Sequence, residues 1–299
     1  MRIIDVSTAE VRAVAVSPDG RFVAACEAGG WCAVFDWAGE QLTRLPLGVA
    51  CPQFAFGPGN SLAYVHRDVL RVDHLESAGG SQTLAGTFAG GVAASPDGKV
   101  LVAAQNHHPN QSRLLRWSLP NFAPLSGFDF WSPFRRLAFS PDGQYLAGIG
   151  PGEADEDRPE FAVFELRYAA TGGLDYRRRW VENWVYATPG FISFSPDSGL
   201  CAFGWEDEFR VLELPTSTSR EARRVAAPFR DAAFTASGRH FATVGGDGAL
   251  KLWGVKSWRV EREYDWGCGA LTCLSLTADG SAGVCGTAGG QLVLFDVDE

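Results

Sequence analysis

The tetrapeptide SPDG constrains the fold of this chain more than any other feature. It occurs at 17–20, 95–98 and 140–143, and weaker relatives stand at 57–60 (GPGN), 195–198 (SPDS), 235–238 (TASG) and 277–280 (TADG). Successive copies begin 38 to 55 residues apart. Self-similarity at such a period is the signature of a repeat architecture, in which each repeat is one supersecondary unit. The sequence therefore predicts seven consecutive units.

Each copy lies between two short apolar runs, such as VRAVAV before residue 17 and RFVAAC after residue 20. Runs of this length and pattern are typical of strands. In a turn, Pro presets φ at the second position, Asp suits the third, and Gly accepts the positive φ that rejoins the next strand. The motif is therefore predicted to be a hairpin turn between the first and second strands of each unit.

A third apolar run closes each unit on a large apolar residue, which is followed by an acidic residue in five units of the seven. The pairs are Phe35-Asp36, Val72-Asp73, Trp117-Ser118, Phe164-Glu165, Leu212-Glu213, Trp253-Gly254 and Phe295-Asp296. With this ending and this period, the whole chain resembles the WD-repeat β-propeller family, and the best copy is GDGALKLW at 246–253. The resemblance implies an all-β, seven-bladed propeller with four antiparallel strands per blade, in a single domain spanning 1–299.

The chain departs from the family pattern in two ways. The Gly-His pair that opens each family repeat is missing, and the family's Trp survives only at Trp117 and Trp253. The His–Asp–Ser–Trp network of well-formed repeats is therefore expected to be absent, so packing should hold the blades together.

Ring closure is predicted to depend on the N-terminal segment. The sequence ends on the third strand of the last unit and begins with a spare strand, RIIDV at 2–6. We expect residues 2–6 to form the outer strand of the blade made by 270–297, which would join both termini in one sheet.

Composition narrows the classes of partner. The formal charge of −9 and the pI near 5.1 disfavour nucleic acid, because an acidic surface repels phosphates. No apolar run reaches the roughly 18 residues that span a bilayer, and the N-terminus lacks a signal peptide's apolar core. We therefore expect a cytoplasmic protein with no membrane partner. The seven cysteines, without a CxxC pair, are expected to be core thiols. Arginine far outnumbers lysine, which suggests a GC-rich, bacterial genome.

Catalytic signals are sparse. The chain has five His and no HExxH, GxSxG or phosphate-loop pattern. His107 and His108 fall in a predicted loop of blade 3, and the acidic segment 153–157 would suit Ca²⁺; solvated loops without an ion are the alternative for both. No catalysis, cofactor or metal is expected. The alternative is a metal-dependent propeller hydrolase or lactonase with its metal in the channel, but the tops of the first strands carry mostly Arg, Gly, Pro and Thr.

The loops leading into the first strands, and the turns between second and third strands, are predicted on one face, here named the top face. The SPDG turns define the opposite, bottom face. Aromatic residues predicted on the top face are Trp131, Phe134, Trp184, Tyr186, Trp205 and Trp266. Because Trp and Tyr dominate binding hot spots, they are candidate contacts for a protein or peptide near blades 3 to 5. The alternative is that they fill gaps between blades where the consensus Trp is missing.

Three arginines share one register position at the predicted top mouth of the channel. Arg12, Arg135 and Arg230 each stand four residues before the last residue of a first strand. Guanidinium groups bind carboxylates and phosphates, so these residues are candidate contacts for a small anionic ligand. Ion pairs with Glu10 and Asp231 are the alternative.

Together these features favour a non-catalytic scaffold, a monomer on its own, that binds a protein or peptide partner on the top face. The sequence does not identify that partner.

Overall fold

The computed structural model contains seven four-stranded antiparallel sheets arranged as the blades of a propeller. It describes residues 1–46, 53–75, 80–108, 111–130, 134–150, 160–168, 174–183, 190–205, 208–214, 218–224 and 229–297. The predicted seven blades, and their four strands each, are confirmed. None of the described residues belongs to a helix long and apolar enough to cross a membrane.

Each blade has an inner strand at the channel, two middle strands and an outer strand. The inner strands are β2 (Val11–Val16), β6 (Phe54–Phe56), β10 (Phe88–Ala94), β14 (Arg136–Phe139), β18 (Phe191–Phe194), β22 (Phe229–Phe234) and β26 (Leu271–Leu276). The second strands are β3 (Phe22–Glu27), β7 (Ser61–His66), β11 (Val100–His108), β15 (Tyr145–Gly150), β19 (Leu200–Trp205), β23 (His240–Gly245) and β27 (Ala282–Thr287).

The third strands are β4 (Trp31–Asp36), β8 (Val69–His74), β12 (Gln111–Ser118), β16 (Glu160–Tyr168), β20 (Glu208–Glu213), β24 (Ala249–Gly254) and β28 (Gln291–Asp296). The outer strands are β5 (Gln41–Pro46), β9 (Ser81–Leu84), β13 (Ala123–Phe130), β17 (Leu174–Asn183), β21 (Thr218–Arg224), β25 (Val260–Asp265) and β1 (Arg2–Asp5). A short 3-10 helix, Pro58–Asn60, forms part of the turn of blade 2.

The SPDG segments are the predicted hairpin turns. In blade 1, Gly20 N donates to Ser17 O at 2.9 Å, and Ser17 N donates to Phe22 O at 2.9 Å. The Ser17 hydroxyl donates to Asp19 at 2.7 Å and accepts from Phe22 N at 2.9 Å. Gly20 has φ of +72°, a value that Gly adopts without a Cβ penalty. The motif therefore closes the hairpin through both backbone and side-chain hydrogen bonds.

In two turns a residue other than Gly occupies the fourth position, and both replacements bond to the preceding blade. Asn60 (φ +53°) donates from Nδ2 to Asp19 at 2.8 Å. Ser198 (φ +60°) accepts at Oγ from Asp142 N at 3.1 Å. The left-handed conformation costs a residue with a Cβ about 1 kcal/mol or more. Each of these residues offsets that cost with a hydrogen bond between neighbouring turns.

The core lies between the blades. In β3, Val23 and Ala25 pack against blade 7, whereas Ala24 and Cys26 pack against blade 2. Equivalent apolar clusters lie at the other blade interfaces. Because a middle strand is buried on both faces, it reads as a continuous apolar run. None of the cysteines in the described residues forms a disulfide bond, and most of them are buried. Burial raises the pKa of Cys273 to about 12.

The N-terminal strand closes the ring as predicted. β1 pairs antiparallel with β28, with Arg2 opposite Leu294 and Asp5 opposite Gln291. Ile4 and Val6 pack into the core between blades 7 and 1. Blade 7 is therefore built from both ends of the chain.

Part of the WD network that we expected to be absent is present in blade 6. Trp253 Nε1 donates to Thr243 Oγ1 at 2.9 Å, across the β23–β24 pair. The expectation covered the whole His–Asp–Ser–Trp network, but loss of the Gly-His pair removes only its histidine. The bond from the Trp to a hydroxyl group does not depend on that histidine and remains in blade 6. Trp117, by contrast, packs against Phe88, with ring centroids 6.0 Å apart.

Candidate functional site

The central channel forms a cavity of about 560 Å³, within the range of small-ligand pockets. Its lining runs from Arg12, Arg136 and Arg230 near the top to Pro196 and Ala278 in the bottom turns. The inner strands supply this lining because each has one edge that pairs with no other strand of its blade. Backbone N–H groups on such an edge need other partners.

Two polar side chains at one register position supply those partners. Gln53 and Asp231 each stand three residues before the last residue of an inner strand. Asp231 Oδ2 accepts from Leu274 N of the next blade at 2.9 Å. Gln53 Oε1 accepts from Val92 N at 3.2 Å, and from Leu137 N, two blades away, at 2.8 Å. These side chains therefore join neighbouring blades.

Two serines do the same closer to the bottom face. Ser275 Oγ accepts from Val16 N at 3.1 Å, and Ser193 Oγ accepts from Phe234 N at 3.0 Å. Each serine is the next-to-last residue of its inner strand and bonds to the last residue of the next one. Much of the polar lining of the channel thus has a structural role.

At the mouth, Glu10 bridges Arg12 and Arg230. Arg230 Nη1 lies 2.6 Å from Glu10 Oε1, and Arg12 Nε lies 3.5 Å from Glu10 Oε2. Both arginine side chains remain about half exposed, at 53% and 54%. The sequence left two interpretations for these arginines, binding of a small anion and internal ion pairing. In the structure, Arg12 and Arg230 are ion-paired with Glu10.

The third predicted arginine lies elsewhere. Arg135 is exposed and is not part of the cavity lining, whereas the half-buried Arg136 is. Arg136 stands three residues before Phe139, which is the register position of Gln53 and Asp231. Successive side chains of a strand alternate between faces. Arg12 and Arg230 nevertheless share the register position of Arg135 and do line the cavity, so register alone does not distinguish Arg135 from Arg136.

The pKa of Asp231 responds to burial and to a charge from another blade. Burial raises its pKa above the ordinary 3.8, opposed by the positive charge of Arg136 and by hydrogen bonds from Leu274 N and Ala232 N. Arg136 also acts on the thiol of Cys273. Asp231 and Cys273 belong to blades 6 and 7, so the charge of Arg136 in blade 4 reaches across the channel.

The predicted aromatic contacts are placed as follows. Phe134 is fully buried, 6.0 Å from Phe164 between ring centroids. Trp266 is half-buried and packs on Phe295, with centroids 5.0 Å apart. These two residues fill space in or between blades, as the alternative interpretation has it. Trp205 ends β19, and the side-chain position of this residue is outside the described part, as are Trp131, Trp184 and Tyr186 entirely.

Sequence reasoning missed a tryptophan on blade 1. Trp31 follows the turn between the second and third strands and is 41% exposed. Arg44 lies over its ring, 4.9 Å from the centroid, and its Nη2 is 2.5 Å from Glu27 Oε1. The turn is joined to the channel mouth because Ala28 N donates to Glu10 O at 2.8 Å. A Trp directly after the GG pair at 29–30 was the available signal.

The predicted loop at His107 and His108 is wrong, since both residues end β11, whose pairing with β12 continues to His108. The acidic segment 153–157 lies outside the described residues. Within the described part of the chain, no group of three or more His, Cys, Asp or Glu is placed to hold a metal ion.

Fold and site define a closed, seven-bladed β-propeller with a polar channel. The model of the WD domain, G-beta repeat, matches residues 2–36, from the closing strand through the third strand of blade 1. The matched repeat and the seven blades together support placing the chain in the WD-repeat propeller family. Proteins of this family typically act as non-catalytic scaffolds. A search of curated proteins found no significant match.

Proposed function

We propose that this chain is a non-catalytic interaction platform that binds a protein or peptide on its top face. We also propose that 1–299 is one domain, since every described strand belongs to a blade of the same propeller. The proposal is supported mainly by the surface at the top of blade 1 and the channel mouth. We name this surface the blade 1 top patch, and its residues are Glu10, Arg12, Glu27, Trp31, Arg44 and Arg230.

The patch has the composition of a binding hot spot. Trp and Arg are enriched in hot spots, and an exposed Trp with Arg stacked on it presents a large, pre-ordered surface. Trp31 is held in place by Arg44, and Arg44 is held by Glu27, which is itself buried. Because these contacts exist before a partner arrives, little side-chain entropy remains to be lost on binding.

A second sector of the top face comes from the sequence. Trp131, Trp184 and Tyr186 precede the inner strands of blades 4 and 5, and we propose them as further partner contacts. Loops on a rigid scaffold are the usual location of binding residues. The two sectors are separable by mutation because they belong to different blades.

Affinity capture with the tagged protein from its native cells, quantified by mass spectrometry, tests the proposal. We expect a partner whose capture falls at least about tenfold with Trp31→Ala or with the pair Trp131→Ala and Trp184→Ala. Purified partner should then bind the wild type and discriminate between the same variants.

The matched control compares the two faces. Arg12→Gln with Arg230→Gln removes two exposed charges from the top face, and Arg21→Gln with Lys99→Gln removes two from the bottom turns. Loss of capture with the bottom pair, and none with any top-face variant, would contradict the proposal. Absence of any partner in the wild-type capture would also contradict it.

A further inference from the structure

Arg136 differs from the other polar residues of the channel. Side chains from four positions accept hydrogen bonds from backbone groups of neighbouring blades: Gln53, Ser193, Asp231 and Ser275. Arg12 and Arg230 both form ion pairs with Glu10. The guanidinium of Arg136 forms no ion pair or hydrogen bond with the residues that the structure describes. It is nevertheless half-buried and lines the cavity. A partly buried cation that lines a cavity favours an anionic partner.

Asp231 is near enough for the charge of Arg136 to affect its pKa, but no hydrogen bond or ion-pair contact joins these two described residues. Three arginines line the cavity, and the facing carboxylates are Asp231 in the lining and Glu10 at the mouth. Both oxygens of Asp231 accept backbone hydrogen bonds, from Ala232 N and Leu274 N. Each oxygen of Glu10 contacts one arginine, Oε1 with Arg230 and Oε2 with Arg12. The mouth therefore keeps a local excess of positive charge in a chain whose net charge is −9.

Glu10 shows the chemistry that this mouth accommodates. Its carboxylate lies between two guanidinium groups, with one oxygen toward each of them. An incoming carboxylate that reached Arg136 would meet the same kind of donor, deeper in the cavity. We choose the carboxylate as the anion because Glu10 already provides that chemistry at this mouth, and inorganic phosphate is the competing ligand in the test.

We propose that Arg136, assisted by Arg12 and Arg230, binds the carboxylate of an acidic side chain that a partner peptide inserts into the top of the channel. This inference rests on the proposed function, because it names the chemistry by which the partner is recognised. The cavity of about 560 Å³ leaves room for a side chain above the carboxylate. The mouth is part of the blade 1 top patch, and the rest of the peptide would lie on the remainder of this patch, at Trp31 and Arg44.

The test measures fluorescence anisotropy of a fluorescein-labelled oligoglutamate peptide with the full-length protein. Arg136→Gln is expected to weaken binding about tenfold or more, because one charge-assisted contact is lost. Arg135→Gln is the matched control, since it removes the same charge from the neighbouring exposed residue and should leave affinity unchanged. Glu10→Gln removes the internal competitor and should strengthen binding a few-fold. Added salt should weaken binding to the wild type.

Several results would overturn the inference. Equal effects of Arg135→Gln and Arg136→Gln would show general surface attraction, and no effect of Arg136→Gln would exclude that residue. Tight binding of free glutarate without binding of the peptide would assign the site to a small acid, and preference for inorganic phosphate would exclude the carboxylate. Thermal unfolding of each variant checks the fold, and Arg136→Met provides a second substitution.

The same variants separate this inference from the proposed function. If partner capture survives Arg136→Gln but fails with Trp31→Ala, the platform stands and the channel contact fails. If the wild type captures no partner, the proposed platform function is wrong. The oligoglutamate titration then tests only whether Arg136 binds a carboxylate in the channel.

Discussion

The bottom and top ends of the channel are formed by the same seven inner strands, yet their residues follow different rules. At the bottom, one turn recurs, and in blades 1, 3, 4 and 5 its Ser hydroxyl donates the same hydrogen bond to its Asp. At the top, the register position three residues before the end of each strand holds Ala13, Gln53, Gly91, Arg136, Phe191, Asp231 and Cys273. The repeated turn at the bottom stabilises the same hairpin in successive blades, whereas the residue at this top position differs from blade to blade.

Variation alone does not indicate function, however. Gln53 and Asp231 differ from their equivalents because they bond the wall of the channel across blades. Gly91 lacks a side chain because a Cβ there would lie 2.6 Å from Phe134 O. At this register position, Arg136 is the polar residue for which the described structure gives no such bond. The comparison therefore separates residues that build the top end from one that has no such bond among the described residues.

The largest expected effect on stability comes from opening the ring, because ring closure supports both the top and the bottom of the channel. Deleting residues 1–7 should lower the free energy of unfolding by more than about 4 kcal/mol, because β1 and the packing of Ile4 and Val6 are lost. Thermal unfolding followed by circular dichroism measures this. Ile4→Ala should destabilise far more than Ile3→Ala, since Ile3 is exposed. An unchanged melting temperature after the deletion would contradict the role of the clasp.

At the top end, Asp231→Ala should cost about 2 kcal/mol, because Leu274 N loses its acceptor. Asp231→Asn keeps an acceptor and should cost much less. The pKa of Asp231 is raised, so its ionisation is less favourable in the folded state than in the unfolded state. Relative to Asp231→Asn, the wild type should therefore lose stability as the pH rises from 3.8 through the raised pKa. Urea unfolding across pH measures both effects, and the opposite slope would refute the electrostatic argument.

At the bottom end, Ser198 tests whether an imperfect turn is compensated. Ser198→Ala keeps the left-handed conformation but removes the acceptor of Asp142 N, and should cost about 1–2 kcal/mol. Ser198→Gly loses the same bond but relieves the backbone, so its cost should be about 1 kcal/mol smaller. If Ser198→Ala were as stable as the wild type by urea titration, the hydrogen bond would not explain Ser at this position. Equal stability of the two variants would instead show that the left-handed backbone carries no strain.

The smallest expected effect concerns the repeated turn itself. The Ser95 hydroxyl donates to Asp97 and lowers the pKa of that carboxyl below 3.8. The ionised form therefore stabilises the fold above pH 3.8, and this contribution is lost as the pH falls through the lowered pKa. Asp97→Asn should cost a few tenths of a kcal/mol near neutrality, because the group is exposed. In urea titrations the difference from the wild type should shrink in acid, and a constant difference would disprove the assignment.

The sequence by itself determined the number of blades, the hairpin turns and the closing strand. These features follow from local chemistry, since the turn residues and the apolar alternation act on neighbouring residues of the chain. Trp31 was also within reach of the sequence, because it follows a glycine turn directly.

Only the tertiary structure decided which side chains face the channel and what they bond. Both register positions contribute lining residues in other blades, so the pattern could not choose between Arg135 and Arg136. The partners of Gln53 and Asp231 lie about forty or more residues away in the chain and meet them only when the ring closes. Phe134 enters the core for the same reason: its packing depends on the strands of its own and neighbouring blades rather than on the loop pattern around it. Each inner strand has one edge whose backbone N–H groups pair with no strand of its own blade. In the assembled propeller these groups need acceptors from other blades, and this need determines which channel side chains have a structural role.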